Sequence, residues 1–511
     1  MSETKKYPCK CKSCKREFDE EEFKLTNDEN KCIFHCDKDK WSKSSEENNF
    51  IKEIEYFWEE VREYIRYINS NIIESNYVKC PSFTAKNNKI YLFNEFIFPR
   101  TEDESGNFMF ENKDFLKEYG YVFNKKLYFK NCKFLDTLNF TNVKMQDDII
   151  FENCIFKSKI QFNGLISEGN FEMINSLENY NKEEYSIEEV NFAGAVFKNN
   201  AKFKRLKFCK SDFDNCLFEK ESDFYKTIFK LTSFKRTRFC GNCIFDEAII
   251  FDVFDTYNVE KKAKETENKV KFTLSKFEGT TRFYKTIFIK NLDLRNTYFY
   301  NRVNFLGISS NKDKYQDIKV SNRETARIIK DSFEQQNNII EANKFYALEM
   351  KKREKELNFS KEPFEWLVFK IHSLSSNHSQ DWTLSLFWII ILGLLCSFIS
   401  YDENYIFTEK EYVLNQLYLG ILIPLLCFTL LLSLLKFEKI KLILSTLFIS
   451  LIFYLNYTRD ISFNHFAYVL NPFSIMRGDE PITFGTLIFK IIIAYLIYQL
   501  IISIRQNTRR K

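Results

Sequence analysis

Phenylalanine recurs along the middle of this chain at intervals that no regular secondary structure explains. From residue 192 it stands at Phe192, Phe197, Phe203, Phe208, Phe213, Phe218, Phe224, Phe229, Phe234, Phe239, Phe245 and Phe251, with polar residues between. The steps are five or six residues. A strand buries every second residue and a helix every third or fourth, so this period predicts neither. It predicts a solenoid, in which each repeat adds one rung to a shared core. The flanks are patterned differently. Ile51, Ile54, Trp58, Val61, Ile65 and Ile68 alternate in steps of three and four, a heptad seam on an amphipathic helix. It is expected to cap the open end of the solenoid, or to pair with another helix or a second chain. Residues 76–125 are aromatic-rich and irregular and lead into the ladder. Arg323 to Leu357 contains no Gly or Pro and reads as one long helix marked by Ile329, Phe333, Ile340, Phe345 and Leu348, about 50 Å long at 1.5 Å per residue. From residue 383 four apolar runs follow, at 383–401, 415–435, 442–457 and 483–504. They predict a transmembrane domain of four spans.

The ladder can be followed from Phe129 to Phe305, with polar interruptions at 172–190 and 256–270. Two positions before many of its rungs stands a small or β-branched residue: Cys132, Cys154, Ala195, Ala201, Cys216, Thr227, Cys243, Thr286 and Thr297. In this the stretch resembles the pentapeptide-repeat family, whose central Leu or Phe and small residue two places earlier both point inward. The resemblance implies a right-handed quadrilateral β-helix with four pentapeptides per coil. The chain departs from the family pattern in its six-residue steps, whose extra residues are expected to bulge at corners. It departs also in mostly lacking the Asp or Asn that often precedes the central residue. The expected organisation is a metal knuckle at 1–42, a helical cap and lead-in at 43–125, the solenoid at 126–310, a linker helix and juxtamembrane segment at 311–382, and the four-helix membrane domain at 383–511.

Composition narrows the function classes. Phe 56 stands against Gly 12 and Pro 7, leaving little material for glycine-rich phosphate loops. Lys+Arg 75 against Asp+Glu 70 gives a net charge of +5, so bulk charge offers no argument for a nucleic-acid partner. Some pentapeptide-repeat proteins mimic DNA with an acidic surface. Residues 191–255 carry twelve basic and nine acidic side chains, a mixture that suits a solvated face and not a mimic. With His 4 and no paired acid/base motif, no catalytic residue can be named and no enzyme is expected.

The cysteines do change the picture. Of Cys 14, five lie in the first 36 residues, as Cys9-x-Cys11-x-x-Cys14 and Cys32-x-x-His35-Cys36. Two Cys/His clusters at this spacing can close a tetrahedral structural Zn2+ site. Cys11, Cys14 and Cys32 are the expected ligands, with His35 or Cys36 as the fourth. So short a segment has no core of its own, and metal binding would supply its stability. The ladder cysteines are expected to be small buried fillers. Met1 to Lys40 is polar and charged, unlike a signal peptide, and a reducing cytosol suits these thiols.

The loops predict a topology. Lys436, Lys439 and Lys441 lie between runs two and three and Arg505, Arg509, Arg510 and Lys511 after run four, whereas Asp402, Glu403, Glu409 and Glu411 lie between runs one and two. Positive loops stay inside, so the chain is expected to be a multi-pass protein of the inner (plasma) membrane with both termini cytoplasmic. Trp366 and Trp382 suit the interface with the lipid bilayer. Lys490 within run four, Pro424 within run two and His465 in the semi-apolar segment 461–476 are candidate pore or coupling residues. The expected function is a solenoid that serves as a protein-binding or assembly platform for an unidentified protein partner. The alternative is a small ion channel gated by the solenoid, which so small a membrane domain could form only as a homo-oligomer.

Overall fold

The computed structural model describes residues 9–26, 30–38, 41, 47–69, 90–99, 122–253, 269–310, 318–400, 438–458, 460–473 and 484–508. The chain divides into two compact units, Met1–Ile328 and Ile329–Lys511.

The first unit is dominated by short parallel strands that wind as a β-solenoid-like stretch. They form sheets of nine, three, seven and eight strands, with one further two-stranded sheet. Ile149 pairs with Leu127 and Phe171 with Ile149, a step of 22 residues each time, whereas Ser222 pairs with Ala201 and Cys243 with Ser222, a step of 21. Each step is one coil. Parallel pairing begins with the strand Ile90–Asn94 against Lys126–Lys130, so Phe93, Phe96 and Phe98 already belong to the first coil. The interruption read at 172–190 shortens to a small excursion. The strand Phe171–Ile174 continues the sheet, the turns Leu177–Tyr180 and Glu183–Tyr185 project, and the strand Ser186–Asn191 resumes. Most of the interruption at 256–270 lies outside the described residues.

Phe192 through Phe245 of the ladder, eleven rings, are all fully buried. Nine of them stack on the ring one coil away, as Phe192 on Phe213 at 4.9 Å, Phe197 on Phe218 at 4.8 Å and Phe203 on Phe224 at 5.1 Å, whereas Phe208 and Phe229 meet tilted at 31°. Neighbouring columns meet edge to face, as Phe213 meets Phe224, an arrangement that suits the ring quadrupole. Phe251 breaks the series. It is exposed, and Ile250 is fully buried in its place, because the step from Phe245 is five residues and the next position turns outward.

The six-residue steps do fall at corners, and one of these corners recurs from coil to coil. It follows the eight-stranded sheet, between Phe197 and Phe203, Phe218 and Phe224, Phe239 and Phe245, and Phe277 and Phe283. Glycines there allow backbone to lie on backbone. A Cβ added to Gly279 would sit 2.2 Å from the carbonyl oxygen of Gly241 in the coil before. Gly279→Ala is therefore expected to destabilise the solenoid by about 1–3 kcal/mol, read from urea unfolding. Gly485→Ala, where the added carbon meets nothing within 4 Å, is the neutral control.

Two other corners carry a residue in the left-handed region, among them Asn142, Gly194, Asn215, Lys226 and Gly307. Ahead of each stands a side chain that builds the turn. Asn139, Asn191, Asp212, Asp223 and Asn304 accept a hydrogen bond from the backbone N–H two residues on, at 2.8–3.0 Å. Where an Asp or Asn precedes the central residue it builds an Asx turn, although the same corner also forms without one, at Glu247 and Lys285, where Ile244 and Arg282 stand instead.

The position two before the rung is more than a filler. Thr237, Thr286 and Thr297 donate their hydroxyls to the carbonyls of Phe213, Phe245 and Phe272 at 2.6, 2.7 and 3.0 Å. The Cys216 and Cys132 thiols do the same toward Phe192 and Phe93 at 3.0 and 3.2 Å. Burial pushes both thiols well above their usual range, which keeps the proton that the bond requires. A small polar group here ties each coil to the one before.

Both ends of the coil stack are covered. At the start lies the helix Glu47–Asn69, as its seam predicts. Trp58 stacks on Phe98, Phe57 meets the same ring edge-on, and the Tyr64 hydroxyl donates to the Leu92 carbonyl at 2.6 Å. At the far end Val320 bridges to Leu292, and Thr325 accepts from the Leu294 amide at 2.8 Å.

The long helix expected over 323–357 is instead two, Arg323–Gln335 and Ile339–Glu356. Asn337 takes the left-handed conformation that ends the first, and Asn338 caps the second by accepting from the Glu341 amide. Asparagine performs here what glycine performs at many helix ends.

Among the described residues of the second unit two helices, Trp382–Ile399 and Phe484–Gln506, are long and apolar enough to cross a membrane, where four spans are expected over the whole segment. The third expected run appears as a helix over Glu438–Thr458, and the part of it described in full, Leu444–Thr458, is apolar. The second run, with Pro424, lies outside the described residues. Helix Pro363–Ser376 precedes the first apolar helix, and a short helix, Asn464–Leu470, crosses it at Gly393, where an added Cβ would meet Leu470 and Phe466.

Candidate metal centre

The N-terminal knuckle is built by local backbone chemistry. Cys9–Lys10 and Glu17–Phe18 pair antiparallel, and the turn between them closes through Cys11 N–H to the Arg16 carbonyl and Lys15 N–H to the Cys11 carbonyl. Lys15 adopts the left-handed conformation. The second knuckle turns at Cys32, whose carbonyl receives the amides of His35 and Cys36.

These two turns bring Cys11, Cys14, Cys32 and His35 together, all buried, with their ligand atoms within 4.8 Å of one another. The Cys14 and Cys32 sulfurs are 3.6 Å apart, and His35 Nδ1 lies 3.7 Å from the Cys11 sulfur and 3.1 Å from that of Cys32. Four donors about 2.0–2.3 Å from one tetrahedral ion would be separated by about 3.5–3.8 Å. The cluster is thus nearly of the size to hold a metal ion. His35 is oriented for the task, since its Nε2 faces the Asn94 carbonyl at 3.0 Å. A proton held at Nε2 leaves Nδ1 free to ligate, the usual outer support of a metal-bound imidazole. Hydrogen bonds from Cys14, then Cys32, hold the Cys11 thiol far below its ordinary range, while burial drives Cys32 up. Without a cation the pocket favours only part of the negative charge that three thiolates would bring.

The sequence left His35 and Cys36 open as the fourth ligand, and the geometry selects His35. Cys36 is buried, but its sulfur points at the Ile33 carbonyl 3.6 Å away. Sequence reading missed the support around the site. Asp19 caps helix Glu20–Leu25 by accepting from the Glu22 amide, and the buried Glu22 carboxylate receives Arg16 at 2.6 Å and the Ile33 amide at 2.8 Å. Arg16 also pairs with Glu60 of the capping helix. An Asp-x-x-Glu capping box was the available signal. Between the ligands Cys32 and His35, Phe34 stacks on Phe96 at 4.5 Å and 9°, and its carbonyl accepts the Ile97 amide at 2.9 Å. The knuckle is therefore part of the cover on the first coil.

Of the candidate pore or coupling residues, Lys490 and His465 lie at opposite ends of one short helix, Asn464–Leu470, and Pro424 lies outside the described residues. Lys490 is buried, and its ammonium donates to the carbonyls of Tyr468, Val469 and Asn471. It caps the C-terminal end of helix Asn464–Leu470, where a cation suits both the free carbonyls and the dipole. Asp460 holds the other end by accepting from the amides of Asn464 and His465. His465 approaches Ser400 at 3.4 Å. Lys490→Met is expected to lower stability by about 1–3 kcal/mol through the carbonyls left unpaired, measured as thermal unfolding in detergent. Compared with protein-family models, with curated proteins and with solved structures, the chain matches none.

Proposed function

We propose that this protein is a membrane-anchored binding or assembly platform. Its solenoid is a right-handed quadrilateral β-helix of the pentapeptide-repeat kind, knotted at its start by a structural Zn2+. The observation that carries the reading is the filled interior. Rings stacked 4.8–5.1 Å apart occupy the axis, so a partner can be met only on the long outer faces, as is usual for solenoids. Three thiolates and an imidazole in a closed tetrahedral arrangement suit zinc among the common metals.

The membrane reading draws support from helix direction. Gln380 bonds to Gln506, so the basic end of the last apolar helix lies beside the start of the first. Ser397 meets Tyr454 and Phe398 meets Tyr457, so helices Trp382–Ile399 and Glu438–Thr458 run the same way. The apolar run 415–435 lies between them in the sequence. Lys439, Lys441 and Arg505 then share one side, the cytoplasmic side by charge.

Photo-crosslinking of the full chain in its own membrane tests the function. Probes placed in turn at Tyr225, Tyr284, Lys210 and Arg238 on the outer surface are expected to capture a discrete protein partner from at least one position. Failure at every position, together with ion flux through liposomes holding the purified protein, would replace the platform by the channel.

A further inference from the structure

Helix Pro363–Ser376 presents an apolar stripe that nothing covers among the described residues. Phe364, Leu367, Val368, Ile371 and Leu374 are all exposed, Phe364 to 83%. At 3.6 residues per turn they occupy a band about 120° wide. The opposite side is engaged with protein. Glu365 pairs with Arg353 at 2.9 Å and Lys370 with Glu354 at 2.6 Å, while Ser376 donates to Gln499 at 3.1 Å.

The placement of this helix says what meets the stripe. Its last turn is fastened to the first turns of one apolar helix and to the middle of the other: Ser385 donates to the Ser375 carbonyl at 2.8 Å, Trp388 Nε1 to the Leu374 carbonyl at 3.0 Å, and Ser375 meets Tyr495 at 3.4 Å. The stripe thereby continues the exposed apolar faces of those helices, on which Leu386, Leu395, Ile491 and Ile501 also stand uncovered. The side chains around it have interfacial character. Trp366 lies under Lys370, and Trp382 is 42% exposed. Between residues 351 and 370, Lys351, Lys352, Arg353, Lys355, Lys361 and Lys370 outnumber Glu354, Glu356, Glu362 and Glu365, a positive excess that complements anionic headgroups.

We propose that helix Pro363–Ser376 lies in the plane of the membrane, with Phe364, Leu367, Val368, Ile371 and Leu374 immersed at the boundary of headgroups and acyl chains of an anionic lipid surface. Such a helix holds its apolar face roughly 5–10 Å into the interface and fixes the height at which the apolar helices enter the bilayer. The proposal rests on the membrane reading above.

The test uses the full chain in nanodiscs of phosphatidylglycerol and phosphatidylethanolamine. A p-benzoylphenylalanine replaces Phe364, Val368 or Ile371, with the same probe at Glu365 as the polar-face control and at Leu395 and Ile501 as span controls. After illumination, lipid-mass adducts are expected at Phe364, Val368, Ile371, Leu395 and Ile501, and none at Glu365. Lipid adducts at Leu395 and Ile501 alone would overturn the interfacial helix and leave the spans standing. A crosslink from the stripe to residues 401–437, or to a second chain, would overturn it by naming a different cover. No lipid adduct at Leu395 or Ile501 would remove the membrane reading and this inference with it.

Discussion

Cys32→Ser will abolish metal binding and uncover the start of the solenoid. Cys32 contributes a sulfur to the cluster and a carbonyl to the turn that presents His35, and the turn survives the substitution while the ligand does not. Structural zinc binding of this kind is worth on the order of 10 kcal/mol at neutral pH, far more than a two-stranded hairpin and a six-residue helix can supply by packing. The loss should be local. Amide exchange at Phe34 and Ile97, whose backbone bond joins the knuckle to the first coil, should rise steeply, with much smaller changes near Phe224. Chelation of the unaltered protein should reproduce the pattern. So should acidification, because thiolates and a neutral imidazole bind the ion and protonation competes with it. Cys36→Ser should retain the metal. A protein that holds no metal with all its cysteines intact, or unchanged exchange at Ile97 after chelation, would remove the structural role assigned to the cluster.

Phe224→Ala is expected to cost about 3–5 kcal/mol, measured by denaturant unfolding. Phe224 is fully buried, stacked between Phe203 at 5.1 Å and Phe245 at 4.8 Å, and edged by Phe213. Truncation opens a cavity that two coils share, and neither can close it without breaking the register of its strands. Phe251→Ala provides the contrast. Phe251 belongs to the same sequence series but is exposed, and its loss should stay within about 0.5 kcal/mol. Equal effects at the two positions would mean that the rungs are assigned wrongly.

The contrast between Phe224 and Phe251 shows how far the solenoid is legible in the amino-acid order alone. Aromatic spacing reports the number of residues per side, and that places nearly every rung. It does not report which corner comes next. The step after Phe245 is five residues, so Ile250 takes the rung although a phenylalanine stands one position later. Corner type is written in less conspicuous residues, the Asn and Asp of the Asx turns and glycines such as Gly279, whose meaning depends on the coil beneath. The Cys/His cluster was legible for a different reason, since two of its members sit on each tight turn. The choice between His35 and Cys36 was not legible, because adjacent residues on one turn differ only in direction. Lys490 was ambiguous because its acceptors are carbonyls at the end of another helix, 19 to 22 positions away in the chain. The break at Asn337 was hidden because asparagine is not an obligatory helix stop.

The position of the knuckle over the first coil has a consequence for biosynthesis. Each coil offers its backbone to the next as a template, and a template needs a finished surface to start from. In this chain the cover on the first coil precedes the coils in sequence, so it leaves the ribosome before them. Cys11, Cys14, Cys32 and His35 can gather their ion, and Phe34 can meet Phe96, while the rest of the ladder is still being made. Every later coil would then lay its rings on a row already in place. Growth in the direction of translation is expected, with the metal-bound knuckle as its starter.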